Sequence, residues 1–233
     1  MVQLAKDCGT LEAMLISILT SQLSGLQILF AVIAFGLAIM IALCTHEWAH
    51  AWAAYKSGDP TAKMMGRMTL NPAKHVEPMG LLSFVLVGIG WAKPVPVNPF
   101  NYRNFRRGNF FVSIAGVSVN FIIGFLASLC FVLIDRFGNT SNDGIWALAI
   151  FFQFLMTINI MLMIFNLLPI YPLDGYNMLR SFTKPDNAYM KFAREHGVWL
   201  LLIVLIASMF TGGIFLLRDA IISLFNLLWG VFF

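Results

Sequence analysis

The chain of 233 residues is 59% hydrophobic and 11% charged, with a formal net charge of +4. So few polar residues exclude a water-soluble domain of this size, and several runs reach the ~20 apolar residues a helix needs to cross a bilayer. The composition predicts an all-α polytopic membrane protein, a single membrane-embedded domain over 1–233 with about four to six transmembrane segments. The basic excess is confined to particular loops, so it implies no nucleic acid. Three cysteines (Cys8, Cys44, Cys130) lie in or near apolar segments without paired spacing and read as packing residues. The first residues show no small-residue cleavage site, so no removable signal peptide is expected.

Residues 11–24 are apolar with interspersed polar side chains, which fits either an interfacial helix or a lead into the first span. The first clear span covers about 26–55 and ends at Ser57-Gly58-Asp59-Pro60. Its last two turns carry His46-Glu47-Trp48-Ala49-His50, an H-E-x-x-H pattern. On a helix the two histidines are one turn apart and can share one metal ion, with Glu47 placed to take a proton from water. Ionisable groups within such a span cost roughly 2.5–3.5 kcal/mol each on insertion scales and are seldom kept without a functional reason.

Residues 56–107 hold eight Lys/Arg against Asp59 and Glu77, which by the positive-inside rule places this segment in the cytoplasm. Within it, the run 79–91 is apolar but too short to span, and predicts a re-entrant or interfacial element. Pro94-Val95-Pro96-Val97 follows. The two prolines impose an extended backbone and place their missing N–H groups on one side of it. The opposite edge is expected to be free, either to bind an extended substrate peptide by strand addition or to serve as a rigid connector. A second span is predicted at about 109–134, a turn at 135–144, and a third span at about 145–168. The loop 180–196 is again basic, which agrees with a cytoplasmic placement. From Gly197 the chain is apolar, interrupted at Thr211-Gly212-Gly213 and at Arg218-Asp219, and forms either one span plus an interfacial helix or two spans. The catalytic core is expected at about 26–180 and the C-terminal helices at about 197–233.

A catalytic zinc needs three protein ligands and one open position. Few acids are available for the third. Asp174 ends the third span, follows Pro169 and Pro172 and precedes Gly175, and alternation of the spans puts it at the depth of His50. An unwound backbone there is tolerated only where protein or a water-filled cavity satisfies it. Asp174 is therefore the expected third ligand; the alternative is a carboxylate that caps the following helix.

His46-Glu47-Trp48-Ala49-His50 together with Asn166-Leu167-Leu168-Pro169-Ile170-Tyr171-Pro172-Leu173-Asp174-Gly175 closely resembles the site-2 protease family of intramembrane zinc metalloproteases. Gly58 to Lys63, Leu70 to His75, Trp91 to Pro99 and Ala115 to Asn120 agree with the same pattern, so the resemblance runs from about His46 to Gly175. It points to the compact subgroup without PDZ or CBS domains. The departures are Val117, Glu77, Tyr171 and Tyr176, none of which removes a ligand or the base.

The resemblance implies that Asn120 bonds substrate or the reacting carbonyl oxygen, a role low dielectric would strengthen; ordinary interhelical bonding is the alternative. It also implies a helper role for His75, which a surface or supporting role would explain equally. The expected protein is a zinc endopeptidase with one Zn2+ per chain. It would cleave a single-span membrane protein or a leftover signal peptide in the cytoplasmic membrane of a prokaryote, with its active site toward the cytoplasm. The rivals are a catalytically inactive scaffold and a metal transporter. A transporter would not need Glu47 and would spread polar groups along several spans, whereas here they gather at one depth.

Overall fold

The computed structural model describes residues 23–80, 92–184 and 187–232. Over these the chain forms helices α1 (Gly25–Ser57), α2 (Thr61–Met64), α3 (Phe105–Phe137), α4 (Asp143–Leu167), α5 (Asp174–Arg180), α6 (Ala188–Thr211) and α7 (Gly213–Phe232), and no strand among the described residues. Helices α1, α3, α4 and α7 are each long and apolar enough to cross a bilayer, as expected of a multi-pass integral membrane protein.

Local chemistry sets the ends of α1. Ser24 and Gln27 exchange side-chain and backbone bonds in a capping box at its start. Gly58 closes it in the left-handed region at φ 111°, where glycine carries no steric penalty. Gln27 also donates to Asp143 Oδ1 at 3.0 Å, which pins the start of α1 to the start of α4. At the other end, the Arg103 N–H donates to Ser57 O and ties the end of α1 to the approach of α3. Helices α1 and α4 therefore run in one direction and α3 runs back against both, so the ends of α1 and α4 share one side.

The buried face of α1 is a stripe of alanines, Ala31, Ala34, Ala38, Ala42, Ala49 and Ala53. Small side chains let neighbouring backbones approach closely, which is the main source of helix association in lipid. Phe35 meets Phe154 edge to face at 5.4 Å in the cluster that joins α1 to α4. Helix α7 packs on α3 and α4 through Phe225, which touches Phe121 and Phe125, while Trp229 donates to Ser128 Oγ at 2.8 Å.

Two expectations change in the C-terminal region. The segment 180–196 is not all loop: Asn187 caps α6 by accepting from the Tyr189 and Met190 N–H groups, so the helix starts at Ala188 and carries Lys191, Arg194, Glu195 and His196. Arg218-Asp219 does not break the helix either. The two side chains pair at 2.7 Å inside α7, which reduces the cost of holding charge there. The expected interfacial element at 11–24 falls mostly outside the described residues, as does the re-entrant element at 79–91.

The loop after α1 is organised by one buried carboxylate. Asp59 accepts from the Thr61 N–H and hydroxyl, from Asn101 Nδ2 at 2.8 Å and from the Asn98 N–H at 2.6 Å. Burial alone would push this carboxyl up, but the bonds from Asn98, Thr61 and Asn101 outweigh it and hold it below its ordinary value. The resulting stabilisation is complete above the unfolded-chain value of about 3.9 and is lost as pH falls through the lower folded value. Asp59→Asn is expected to cost about 1–3 kcal/mol at pH 7. Thermal unfolding in detergent should show its deficit against wild type closing toward pH 3.

Candidate metal centre

His46 and His50 lie one turn apart on α1, and their rings meet at 87° with centroids 4.5 Å apart. Each ring is oriented through Nδ1. His46 Nδ1 lies 2.8 Å from Asn120 Oδ1, and His50 Nδ1 lies 2.7 Å from the Val112 carbonyl oxygen. A backbone carbonyl only accepts, so His50 Nδ1 carries the proton. Asn120 Nδ2 donates to Asn159 Oδ1 at 3.2 Å, which leaves Oδ1 as the atom facing His46 and protonates that Nδ1 too. In their neutral form both rings therefore turn an unprotonated Nε2 toward the same point.

Asp174 arrives there from the end of α4. That helix stops at Leu167, and the chain turns through residues 168–173 before α5 begins at Asp174. The turn folds back so tightly that a Cβ at Gly175 would lie 2.3 Å from Leu167 O, which glycine alone avoids. The N-cap of α5 is Leu173 and Asp174 is its first helical residue, so the capping alternative is not the place the fold gives this carboxylate. Its Oδ2 lies 3.4 Å from His46 Nε2 and 3.2 Å from His50 Nε2, and the two Nε2 atoms are 3.0 Å apart.

In that form three lone-pair-bearing atoms converge, and the Asp174 Oδ2 is buried without a hydrogen-bond partner. Such a cluster is repulsive by itself and favourable around a cation. Ligands at zinc–nitrogen and zinc–oxygen distances on a tetrahedron stand about 3.3 Å apart, and the three separations bracket that value. Two neutral imidazoles and a carboxylate also form a donor set that zinc accepts, and Asn120 and Val112 supply the outer bonds that fix metal-binding imidazoles. Among the described residues this is the one group of His, Cys, Asp or Glu so placed.

Two further residues shape this site. Gly116 lies where α3 crosses α1: a Cβ there would come within 2.6 Å of both His46 Cε1 and His50 Nε2. Asn159 is fully buried, bonded to Leu155 O at 2.7 Å, and holds Asn120 in place. The Asn120 carboxamide is thereby engaged with His46 and Asn159, a different contact from the substrate bond that the sequence suggested. His75 is buried but stays outside the donor cluster; its Nε2 faces Thr69 O at 2.7 Å and its own carbonyl accepts the Lys93 N–H.

Glu47 reaches the proline-bearing segment, where its Oε2 accepts the Val95 N–H at 2.8 Å. Val95 packs on Ala51 and Ala62. Arg67 Nη2 donates to Lys93 O at 2.7 Å and to Pro94 O at 3.2 Å. The edge expected to be free is thus bonded internally at Lys93 and Val95, while Pro94 and Val97 face outward.

The profile of peptidase family M50 matches residues 134–206. The chain is 36% identical over 199 residues to "Putative zinc metalloprotease YwhC" of Bacillus subtilis (strain 168), covering 82% of this chain and 90% of that protein. It is 31% identical to "Putative zinc metalloprotease Rip2" of Mycolicibacterium smegmatis, over 72% of this chain and 64% of that protein. It is 26% identical to "Zinc metalloprotease MJ0392" of Methanocaldococcus jannaschii, over 85% and 52%. No solved structure matches the chain.

Metal analysis of detergent-purified protein checks the site. Wild type is expected to hold about one zinc per chain, and Asp174→Ala and Gly116→Ala to lose it. Gly36→Ala, whose Cβ meets nothing within 4 Å, should keep it. Asn120→Ala is expected to weaken zinc binding by about 10–100-fold.

Proposed function

The chain belongs to peptidase family M50, the site-2 proteases, and from that premise we propose that it is a zinc endopeptidase that cuts membrane-embedded protein segments. The observation that carries this reading is the meeting of His46 and His50, with Glu47 beside them on the membrane-length helix α1, and Asp174 just past the end of the membrane-length helix α4. Zinc held there supplies Lewis acidity toward a peptide carbonyl and makes water a nucleophile near neutral pH.

Glu47 takes the proton of the attacking water. As the C–N bond breaks, Glu47 delivers that proton to the departing amine nitrogen, so the carboxylate is regenerated. A helical peptide bond is shielded by its own turn, so substrate must be extended to react. The Pro94–Val97 segment, bonded to Glu47 through Val95, is suited to lie alongside an extended substrate, with its outward groups at Pro94 and Val97 open to contact. Asn120 orients His46 and so acts on the reaction through the metal site.

The substrate class is a single-span membrane protein or a leftover signal peptide. The basic segments 56–107 and 180–196 favour a cytoplasmic orientation for the site, in the inner membrane of a prokaryote. Water then reaches the site from the cytoplasmic side, where α1 and α4 end.

Purified protein reconstituted in liposomes with epitope-tagged single-span proteins tests this. Wild type should release a shortened fragment. Glu47→Gln should keep its zinc and cleave about 10²–10⁴-fold more slowly. Cleavage by Glu47→Gln at the wild-type rate would remove Glu47 from its role. A zinc-loaded wild type inert on every single-span protein and signal peptide offered would favour the scaffold.

A further inference from the structure

Asp174 is held differently from the two histidines. Those sit within a long helix and are oriented by bonds to α3. Asp174 opens the short helix α5 after an irregular turn, and its Oδ2 has no hydrogen-bond partner. A donor on such a segment stays on target only if something else fixes the turn, since functional geometry tolerates displacements of about 0.5 Å.

Helix α6 makes those contacts. Tyr189, in its first turn, donates to Pro169 O at 2.6 Å. Tyr176, two residues past Asp174, is buried and donates back to Met190 O at 3.2 Å. Its ring lies with Met190 and Ala193 and meets Tyr171 edge to face at 5.5 Å. Further along α6, Gly197 passes so close to the turn that a Cβ would lie 2.3 Å from Tyr171 O. These contacts bracket Asp174 in sequence, at Pro169 and Tyr171 before it and at Tyr176 after it. On the opposite side, Asn109 of α3 donates to Asn177 O at 2.6 Å and to Ser181 Oγ at 2.9 Å. The rest of α6 is mostly open, with Val198, Trp199 and Ile203 well exposed.

We infer that α6 is the element that aligns the third metal donor, with Tyr189 and Tyr176 as positioning residues that hold Asp174 Oδ2 opposite the two Nε2 atoms. The inference rests on the zinc reading of His46, His50 and Asp174, and not on peptide cleavage.

Zinc itself is the probe. Wild type, Tyr189→Phe, Tyr176→Phe and the double variant are purified zinc-loaded, with Tyr55→Phe as control because its hydroxyl meets only the surface Lys63. Three quantities are read: the rate of zinc loss to a chelator, the rise in thermal midpoint caused by zinc, and the visible spectrum with cobalt(II) in place of zinc. The double variant is expected to lose zinc about 10-fold faster, to show a smaller zinc-dependent rise from a zinc-free midpoint near wild type, and to change the cobalt spectrum. Tyr55→Phe should match wild type.

Zinc loss at the wild-type rate with an unchanged cobalt spectrum overturns the inference and leaves the zinc site standing. A midpoint lowered equally with and without zinc also overturns it, since that is support of the fold alone. A wild type that binds no zinc overturns the site reading itself. Should the double variant fail to fold, Tyr189→Phe carries the same test, because that ring is 38% exposed and its hydroxyl can be removed without opening the core.

Discussion

Two imidazole Nε2 atoms and a carboxylate oxygen held 3.0 to 3.4 Å apart are the constraint on which the rest of the structure depends. Lone pairs do not gather unaided at such distances in a low-dielectric interior. Their arrangement is stable only if the surrounding fold resists their repulsion or a cation cancels it. The protein meets the first requirement with bonds that fix each imidazole from behind, through Asn120 and Val112, and the donor set suits zinc for the second.

This geometry needs close helix packing. Helix α1 turns alanines toward its neighbours, so α3 can approach until its Gly116 meets both imidazoles directly. The same economy of side-chain volume brings Asn120 and Asn159 into contact across α3 and α4. Two carboxamides facing each other in an apolar bundle each find a partner there, which a single one would lack. The polar interior is thus a connected chain from Leu155 O through Asn159 and Asn120 to His46.

The loop side of the site follows a related logic. Between Lys93 and Val97, Pro94 and Pro96 bring no N–H, so Val95 supplies the donor that Glu47 accepts. Arg67 secures the carbonyls of Lys93 and Pro94, and Asp59 secures Asn98 beyond them. The extended segment is held against the end of α1 by side chains rather than by a strand ladder. That is why it forms no sheet among the described residues, yet keeps a fixed path beside the glutamate.

The membrane class, the three spans at about 26–55, 109–134 and 145–168 and the helical spacing of His46 and His50 were legible in the sequence, because hydropathy and helical period are local properties. Asp174 could be placed at the depth of His50 because alternating spans leave few positions for a chain end. Local pattern misjudged the start of α6, where the Asn187 cap and the burial of Met190 and Ala193 carry the helix through residues that read as a basic loop. It also took Arg218-Asp219 for a break, although neighbours in sequence can pair within a helix. Only the tertiary structure decided which atoms hold each donor: Val112 O behind His50, Asn159 behind Asn120, Gly116 against both rings, and Tyr189 and Tyr176 around the Asp174 turn. These contacts join residues well separated in the chain, and three of them use backbone carbonyls, of Val112, Pro169 and Met190, that no residue type announces. A sequence names the groups able to bind a metal; the crossing of helices sets the distances between them.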